Sequence, residues 1–268
     1  GEGNPTGLWL STGGTSATTS NTFVASENGV AIPTAVVRRI SDGFGDYISV
    51  KDFGATGDGV TDDTAAVQAA FDYGTTNRAK IRIPVGTYLI TSTLTVGPFP
   101  TNQDGLVIEG ESRIGSIFKF NTTGKGILVN SLATSAGIVQ ISSISFTSVT
   151  NTPSYFVHIQ SIQNAVIEKC GFYDCSANYA IFFENGYFPT ISECGFYGLT
   201  CTSAVLYDIP GTDCGRIIGC DFTGITGNGV EVRRGSGPYL GSTVIEGCTG
   251  KGFWSRVVDY TNYDVGIT

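Results

Sequence analysis

Two acidic residues, Glu184 and Asp208, occupy the same position in two similar β-prone segments, AIFFEN from Ala180 and AVLYDI from Ala204. If these segments stack as neighbouring parallel strands, about 4.8 Å apart, their carboxyl groups reach the ~5 to 5.5 Å spacing that retaining glycosidases use. One group would act as acid and the other as nucleophile, and the nearby like charge would raise the pKa of the acid. The sequence therefore predicts Glu184 and Asp208 as a catalytic pair, with a solvated charge ladder as the alternative.

The same position in the flanking segments carries groups suited to binding a sugar. It holds His158 in SYFVHI, Arg233 in GVEVRR and Arg256 in GFWSRV. We expect these three side chains to bind an anionic sugar, and we expect Trp254 to offer its flat ring to a pyranose. The alternatives are that the arginines neutralise the acidic pair, and that Trp254 packs beneath a following segment.

The third position of these segments predicts a second outward column, which consists of Leu128, Phe156, Phe182, Leu206, Glu231 and Trp254. Exposed apolar side chains in such a column favour a subunit interface. Glu231 is a further acid, two residues before Arg233. Two other acidic pairs have structural explanations: Asp62 and Asp63 stand at a predicted helix start, and the pair Glu109 and Glu111 stands at a strand end.

No segment predicts a metal or an organic cofactor. The acidic residues lack the spacing of a calcium-binding loop, and GDGVTD lacks the lysine of a nucleotide-binding loop. The seven cysteines include no close CxxC pair of the kind that binds zinc. We expect them to be reduced and buried, because thiols pack as small apolar groups; the alternative is a disulfide between cysteines of adjacent coils.

Stacked strands are needed to position these side chains, and the sequence repeats predict them. Cys170, Cys194, Cys220 and Cys248 follow apolar segments at spacings of 24, 26 and 28 residues, and Ile144 extends the series. A second row of strands follows each time. Periods in the twenties with glycine and polar punctuation indicate a β-solenoid. Strand alternation assigns one face to the interior, namely Val157, Ile181, Phe183, Val205, Tyr207, Val230, Val232 and Phe253.

Composition favours the same architecture and excludes several classes of partner. The chain has 268 residues, 37 glycines, no methionine and 14% charged residues, which suits an all-β protein. The net charge of -8, without a basic patch, argues against nucleic acid or an anionic membrane as partner. No segment reads as a signal peptide or a membrane span.

One helix is predicted, with Thr61 as N-cap, Val67, Ala70 and Phe71 as the apolar stripe and Gly74 just past its end. The predicted domains are a polar head segment, residues 1–46, and a β-helix, residues 47–268. Within the β-helix the cap spans 47–75 and the coils span 80–268. The last segment, YTNYDVGIT, lacks a capping element, so we expect either that the solenoid continues in a longer protein or that it is a short shaft.

The opening of the predicted β-helix carries a long ordered motif. VKDFGATGDGVTDDTAAVQAAF is followed by IRIPVGTYLITSTLTV and VIEGES. This series resembles the pectate-lyase-like β-helix superfamily, in the version common in bacteriophage tailspikes and some secreted glycanases. The resemblance implies a right-handed parallel β-helix with three sheets per coil, behind an N-terminal capping helix. It also implies a homotrimer whose head, residues 1–46, attaches to the virion tail.

The function implied by this resemblance is recognition, and depolymerisation, of bacterial surface polysaccharide by a virion tail protein. The first alternative is a secreted extracellular polysaccharide lyase or glycoside hydrolase. In a lyase, Glu184 and Asp208 would hold calcium against a uronate, and Arg233 or Arg256 would be the base. The second alternative is a structural virion appendage without chemistry, because one fold serves many functions.

Overall fold

The computed structural model describes residues 47–99, 105–130, 136–149, 152–209, 215–234 and 242–251, together with three short strands outside these ranges. The chain divides into two units, Gly1–Tyr47 and Ile48–Thr268. In the first unit, strands β1 (Ser26–Glu27) and β2 (Val30–Ala31) pair antiparallel. The rest of the predicted head segment lies outside the described residues, and its role stays a prediction.

The second unit consists of three parallel sheets. The nine-stranded sheet contains β3 (Tyr47–Ser49), β5 (Lys80–Ile83), β8 (Leu106–Gly110), β11 (Ala136–Ser142), β14 (Ile162–Glu168), β17 (Thr190–Ser192), β20 (Gly215–Ile218), β23 (Ser242–Glu246) and β25 (Asp264–Ile267). The eight-stranded sheet contains β4 (Asp58–Asp62), β6 (Gly86–Ile90), β9 (Ser116–Phe120), β12 (Ser145–Ser148), β15 (Gly171–Tyr173), β18 (Gly195–Tyr197), β21 (Asp221–Thr223) and β24 (Thr249–Lys251). The six-stranded sheet contains β7 (Leu94–Val96), β10 (Lys125–Asn130), β13 (Tyr155–Gln160), β16 (Tyr179–Glu184), β19 (Ser203–Ile209) and β22 (Asn228–Arg234).

From β5 to β24, hydrogen-bonded neighbours in each sheet lie three strands apart along the chain. Each coil therefore contributes one strand to every sheet, and successive coils stack in parallel register. This arrangement is a three-sheet parallel β-helix, and the predicted fold class is confirmed.

The predicted interior face is also confirmed wherever the structure describes it. Its described members are 0–5% exposed, namely Val157, Ile181, Phe183, Val205, Tyr207, Val230 and Val232. Phe253 lies outside the described residues. Phe146, Phe172, Phe196 and Phe222 add a continuous stack, with ring centroids 4.9, 5.0 and 4.7 Å apart. Stacking of identical side chains in successive coils thus forms one continuous core.

The cysteine column lies inside the core, as the repeat predicts. The Cys194 thiol donates to the Ile167 carbonyl of the preceding coil at 3.5 Å, and Cys170 and Cys220 make the equivalent contacts. Burial raises the pKa of the Cys194 thiol well above its ordinary value. Of the six cysteines in the described part of the chain, Cys170, Cys175, Cys194 and Cys220 are buried, whereas Cys201 and Cys248 are partly buried; their reduced state stays a prediction.

The capping helix α1 (Thr64–Asn77) follows a single 3-10 turn (Val50–Phe53) and packs on β5, β6 and β7. Its predicted apolar stripe is buried, with Val67, Ala70 and Phe71 each 0% exposed. Among the described residues, no helix combines the length and apolar character needed to cross a membrane.

The predicted ends of this helix are wrong by several residues. Thr61 lies in β4, and Asp63 is the N-cap residue. The carboxylate of Asp63 is buried and accepts the N–H groups of Thr56 and Gly57 at 2.6 and 3.0 Å, while Asp62 accepts the Thr64 N–H at 3.0 Å. The acidic pair is therefore structural: Asp62 satisfies a backbone donor at the helix start, and Asp63 satisfies two donors of the loop that precedes β4.

At the other end, Gly74 lies within the helix rather than after it. A Cβ atom there would approach Ile81 Cδ1 to 2.9 Å and Leu106 Cδ1 to 3.0 Å, so the glycine permits close packing of α1 on the coils. The helix instead ends at Arg78, whose φ of 57° is left-handed. Close helix packing and helix termination both favour glycine, and the sequence alone does not separate the two.

Candidate glycan-binding face

The predicted site residues lie on the outer surface of the six-stranded sheet. We call the outward side chains of β13, β16, β19 and β22 the site face. Strand register arranges them in three rows across neighbouring coils. The first row is Tyr155, Tyr179, Ser203 and Asn228; the middle row is His158, Phe182, Leu206 and Glu231; the accessible row is Gln160, Glu184, Asp208 and Arg233.

The register corrects the predicted position of His158. Glu184 pairs with Gln160, and His158 pairs with Phe182 one row away. The prediction aligned Ser154 with Ala180, which shifts this strand by two residues. A two-residue shift leaves every side chain on the same face of the sheet, so the hydrophobic alternation did not reveal it.

The prediction that Phe156, Phe182 and Leu206 are exposed is wrong. Phe156 is 0% exposed and belongs to the interior, where it meets Phe120 and Phe172 edge-on at 5.8 and 6.2 Å. Phe182 and Leu206 do belong to the outward rows, but they are 8% and 1% exposed because they form an apolar cluster with the two tyrosines of the first row. The site face is thus a packed surface with its own apolar layer.

His158 contacts Glu184 from within that layer. Its Nε2 lies 2.9 Å from Glu184 Oε2, and its ring stacks on Phe182 at 4.5 Å, with Tyr155 at 5.2 Å. Only 4% of the His158 side chain is exposed, against 33% for Glu184. The imidazole therefore positions the carboxylate rather than reaching the surface itself.

The imidazole is neutral at pH 7. Burial, with a smaller contribution from the charge of Lys125, lowers the pKa of His158 to about 4. The Glu184 carboxylate favours the charged ring, but Nδ1 is buried without a hydrogen-bond partner in the described structure. Protonation would turn Nδ1 into a buried donor without an acceptor, which is costly.

Acidic pH is therefore expected to destabilise the β-helix through His158. The free imidazole has a pKa of 6.5. Between pH 6.5 and about 4, His158 is therefore protonated in the unfolded chain and unprotonated in the folded chain. Stability is full above this window and falls by roughly 3 kcal/mol across it. Urea unfolding of the wild type and of His158→Gln from pH 7 to 4.5 measures the effect; equal pH dependence in both proteins would contradict it.

Asp208 is the stronger candidate for an acid in the accessible row. It pairs in register with Glu184 on the neighbouring coil. Burial raises the pKa of the Asp208 carboxyl above its usual range, Arg233 opposes this, and the negative charges of Glu184 and Glu231 add to the increase. An acid with a raised pKa beside an ionised carboxylate is the combination that glycosidic cleavage requires.

Arg233 is held in place by two neighbours. Its Nε donates to Glu231 Oε1 at 2.7 Å, and its Nη2 donates to the Tyr179 hydroxyl at 2.7 Å. Glu231, whose side chain is 7% exposed, also accepts the Ser203 hydroxyl at 2.6 Å. The middle row thus positions the accessible row at both ends, through His158 and through Glu231.

The remaining predicted residues fall into two groups. Trp254 and Arg256 lie outside the described residues, so their roles stay predictions. Glu111 is structural, because it forms an ion pair with Arg82 at 2.8 Å and accepts the Val85 N–H at 3.0 Å. Sequence reasoning missed Tyr155, Tyr179 and Gln160, although the two tyrosines recur 24 residues apart and mark the correct register.

The donor set does not fit the calcium of a lyase-type site. Calcium takes six to eight oxygen ligands, usually from several carboxylates. Within the described ranges, no group of three or more His, Cys, Asp and Glu side chains is placed to hold a metal ion. Glu231, the third carboxylate of the site face, is already bound to Arg233 and Ser203.

Residues 47–254 match the model of the rhamnogalacturonase A/epimerase, pectate lyase-like family. The chain belongs to this family. The superfamily predicted from the cap motif is thereby confirmed.

Two curated relatives match short parts of this family member. A glucan 1,3-beta-glucosidase of Cochliobolus carbonum is 36% identical over 95 residues, which are 35% of this chain and 10% of the relative. A probable glucan endo-1,3-beta-glucosidase of Arthroderma benhamiae is 50% identical over 50 residues, 19% of this chain and 6% of the relative. The chain therefore spans a tenth or less of the length of these relatives.

Tailspike proteins are among the solved structures that share the fold of this family member. The Dettilon tailspike protein has a TM-score of 0.54 and 16% identity, with 83% of this chain and 50% of that chain covered. The tailspike of E. coli bacteriophage HK620, solved in complex with a pentasaccharide, has a TM-score of 0.51 and 14% identity, with coverages of 88% and 53%. At these identities the similarity establishes the fold alone.

Proposed function

We propose that this protein is a tailspike-like protein that recognises bacterial surface polysaccharide through the site face. The observation that carries the proposal is the accessible row of Gln160, Glu184, Asp208 and Arg233 beside stacked tyrosine rings. Tyr155 and Tyr179 stack at 5.7 Å, and Tyr155 is partly exposed. Aromatic rings suit the C–H faces of sugars, and the polar row offers hydrogen bonds to hydroxyl groups. The HK620 complex supports a sugar ligand for this fold.

Removal of one ring tests this proposal. Tyr155→Ala is expected to weaken binding of the recognised polysaccharide about tenfold, because the substitution removes a stacking surface worth on the order of 1 kcal/mol. Biolayer interferometry against a panel of purified capsular and O-antigen polysaccharides measures the affinity. The matched control is Tyr73→Ala, since Tyr73 is 43% exposed on the capping helix. Equal affinity in all three proteins would contradict binding at the site face.

Cleavage of the bound polysaccharide is a second function that one specific observation favours. Glu184 and Asp208 are register partners in adjacent coils, and the pKa of Asp208 is raised mainly by burial. We infer a retaining glycoside hydrolase, in which Asp208 protonates the leaving oxygen and Glu184 attacks the sugar. His158 holds Glu184 by its Nε2 contact.

A homotrimer attached to a virion tail completes the proposal, with residues 1–46 as the attachment segment. Tailspike folds among the similar structures support it. Light scattering is expected to give a mass near three times 28.1 kDa. A stable monomer at micromolar concentration would contradict the trimer and favour the alternative of a secreted enzyme.

A further inference from the structure

The charges of the site face decide which class of sugar it accepts. Three carboxylates project from β16, β19 and β22, namely Glu184, Asp208 and Glu231. Arg233 is the one described cation beside them. Lys125, on the neighbouring strand β10, pairs in register with Tyr155, and its charge acts on His158. Among the described side chains, the three carboxylates outnumber Arg233 and Lys125 together, so this part of the face has a net negative charge.

The charge of Arg233 is already compensated. Its guanidinium is bound by the buried carboxylate of Glu231 at 2.7 Å and by the Tyr179 hydroxyl, and it lies 5.6 Å from the centre of the Tyr179 ring. Rotating it towards a ligand would leave Glu231, 7% exposed, as a buried charge without its cation. Arg233, whose side chain is 41% exposed, can still donate hydrogen bonds, but Glu231 already balances its charge.

His158 does not supply the missing positive charge. Its side chain is 4% exposed, and its Nε2 is occupied by Glu184. Burial, with a smaller contribution from Lys125, lowers the pKa of His158 to about 4, so the imidazole adds no positive charge at pH 7. The sequence-based expectation that His158 and Arg233 bind an anionic sugar is therefore not supported by the geometry.

We infer that the site face binds uncharged glycan repeats and discriminates against repeats that carry uronate, sialate or phosphate. This inference rests on the proposed function and specifies its substrate class. An anionic sugar would meet the carboxylates of Glu184 and Asp208 at short range, where like charges repel strongly. A neutral sugar can donate hydrogen bonds to the acceptors of the accessible row and stack on the partly exposed Tyr155 ring, without electrostatic repulsion.

A matched pair of probes tests the inference. A uronate-containing capsular polysaccharide is compared with the same polymer after chemical reduction of its carboxyl groups, beside a panel of neutral O-antigens. The wild type is expected to bind neutral polymers at least about tenfold more tightly than acidic ones. Tightest binding to an acidic polymer would overturn the inference. Absence of binding to every polymer would instead overturn the proposed function, and the inference with it.

Two variants locate the discrimination on the site face. Glu231→Gln frees the guanidinium of Arg233, and Asp208→Asn removes a carboxylate from the accessible row. Each is expected to improve binding of the acidic polymer several-fold relative to the neutral one. Thermal unfolding measures whether each variant is folded. If Glu231→Gln, at the more buried position, does not fold, Asp208→Asn still tests the inference. Glu246→Gln, an exposed glutamate on the nine-stranded sheet, is the control; unchanged preference in both test variants would refute the inference.

Discussion

Replacing Phe196 by alanine is expected to destabilise the β-helix by about 4 kcal/mol. The ring is 0% exposed and lies between Phe172 and Phe222, almost parallel to both, at centroid distances of 5.0 and 4.7 Å. Truncation removes the buried apolar area and leaves a cavity that stacked neighbours on rigid coils fill poorly. Chemical unfolding followed by far-UV circular dichroism measures the loss.

Phe188→Ala provides the matched control for this experiment. Phe188 loses the same atoms, but it is 50% exposed in the turn that follows β16. We expect this control to change stability by less than about 1 kcal/mol. Similar losses in both variants would show that the phenylalanine stack does not form the core described here.

Asp208→Asn is expected to reduce polysaccharide cleavage by about 10³-fold. The amide keeps the size of the side chain but cannot donate a proton to the leaving oxygen. Binding of the uncleaved polymer is expected to persist, because the tyrosine rings and the other polar groups of the accessible row remain. Release of reducing ends from the polysaccharide that the wild type binds measures the rate.

Asp174→Asn makes the same chemical change at an exposed position just after β15, on the eight-stranded sheet. This control should cleave at the wild-type rate. If Asp208→Asn cleaves as fast as the control, Asp208 is not the acid. If the wild type binds polysaccharide without cleaving it, the protein is a recognition module, and the hydrolase proposal fails while the binding proposal stands.

The fold was predictable because several repeated features of the sequence each indicate the same solenoid. The cysteine column and the second row of strands gave independent periods in the twenties. Each coil buries its apolar side chains only against its neighbours. The motif around Asp62 and Asp63 added the capping helix. Errors of several residues at the ends of that helix did not change the predicted fold, because the prediction of its buried apolar stripe was correct.

The site was less predictable, because its details depend on register and contacts. The prediction that Glu184 and Asp208 are neighbours is correct, because both strands have the same apolar alternation and carry the acid at the same position. Placing His158 failed by two residues, a shift that alternation does not detect. The ion pair between Arg233 and Glu231 was not predicted, although both residues were noted in the sequence. A spacing of two residues places both side chains on one face of a strand, but it does not show that they contact each other.

The central claim is that polysaccharide lies on the outer surface of the six-stranded sheet. A crystal structure with an oligosaccharide from the best-bound polymer tests it most directly. We expect sugar density over Tyr155, Glu184 and Asp208, with hydrogen bonds to the two carboxylates. Density confined to the eight-stranded or nine-stranded sheet, with an unoccupied site face, would contradict it.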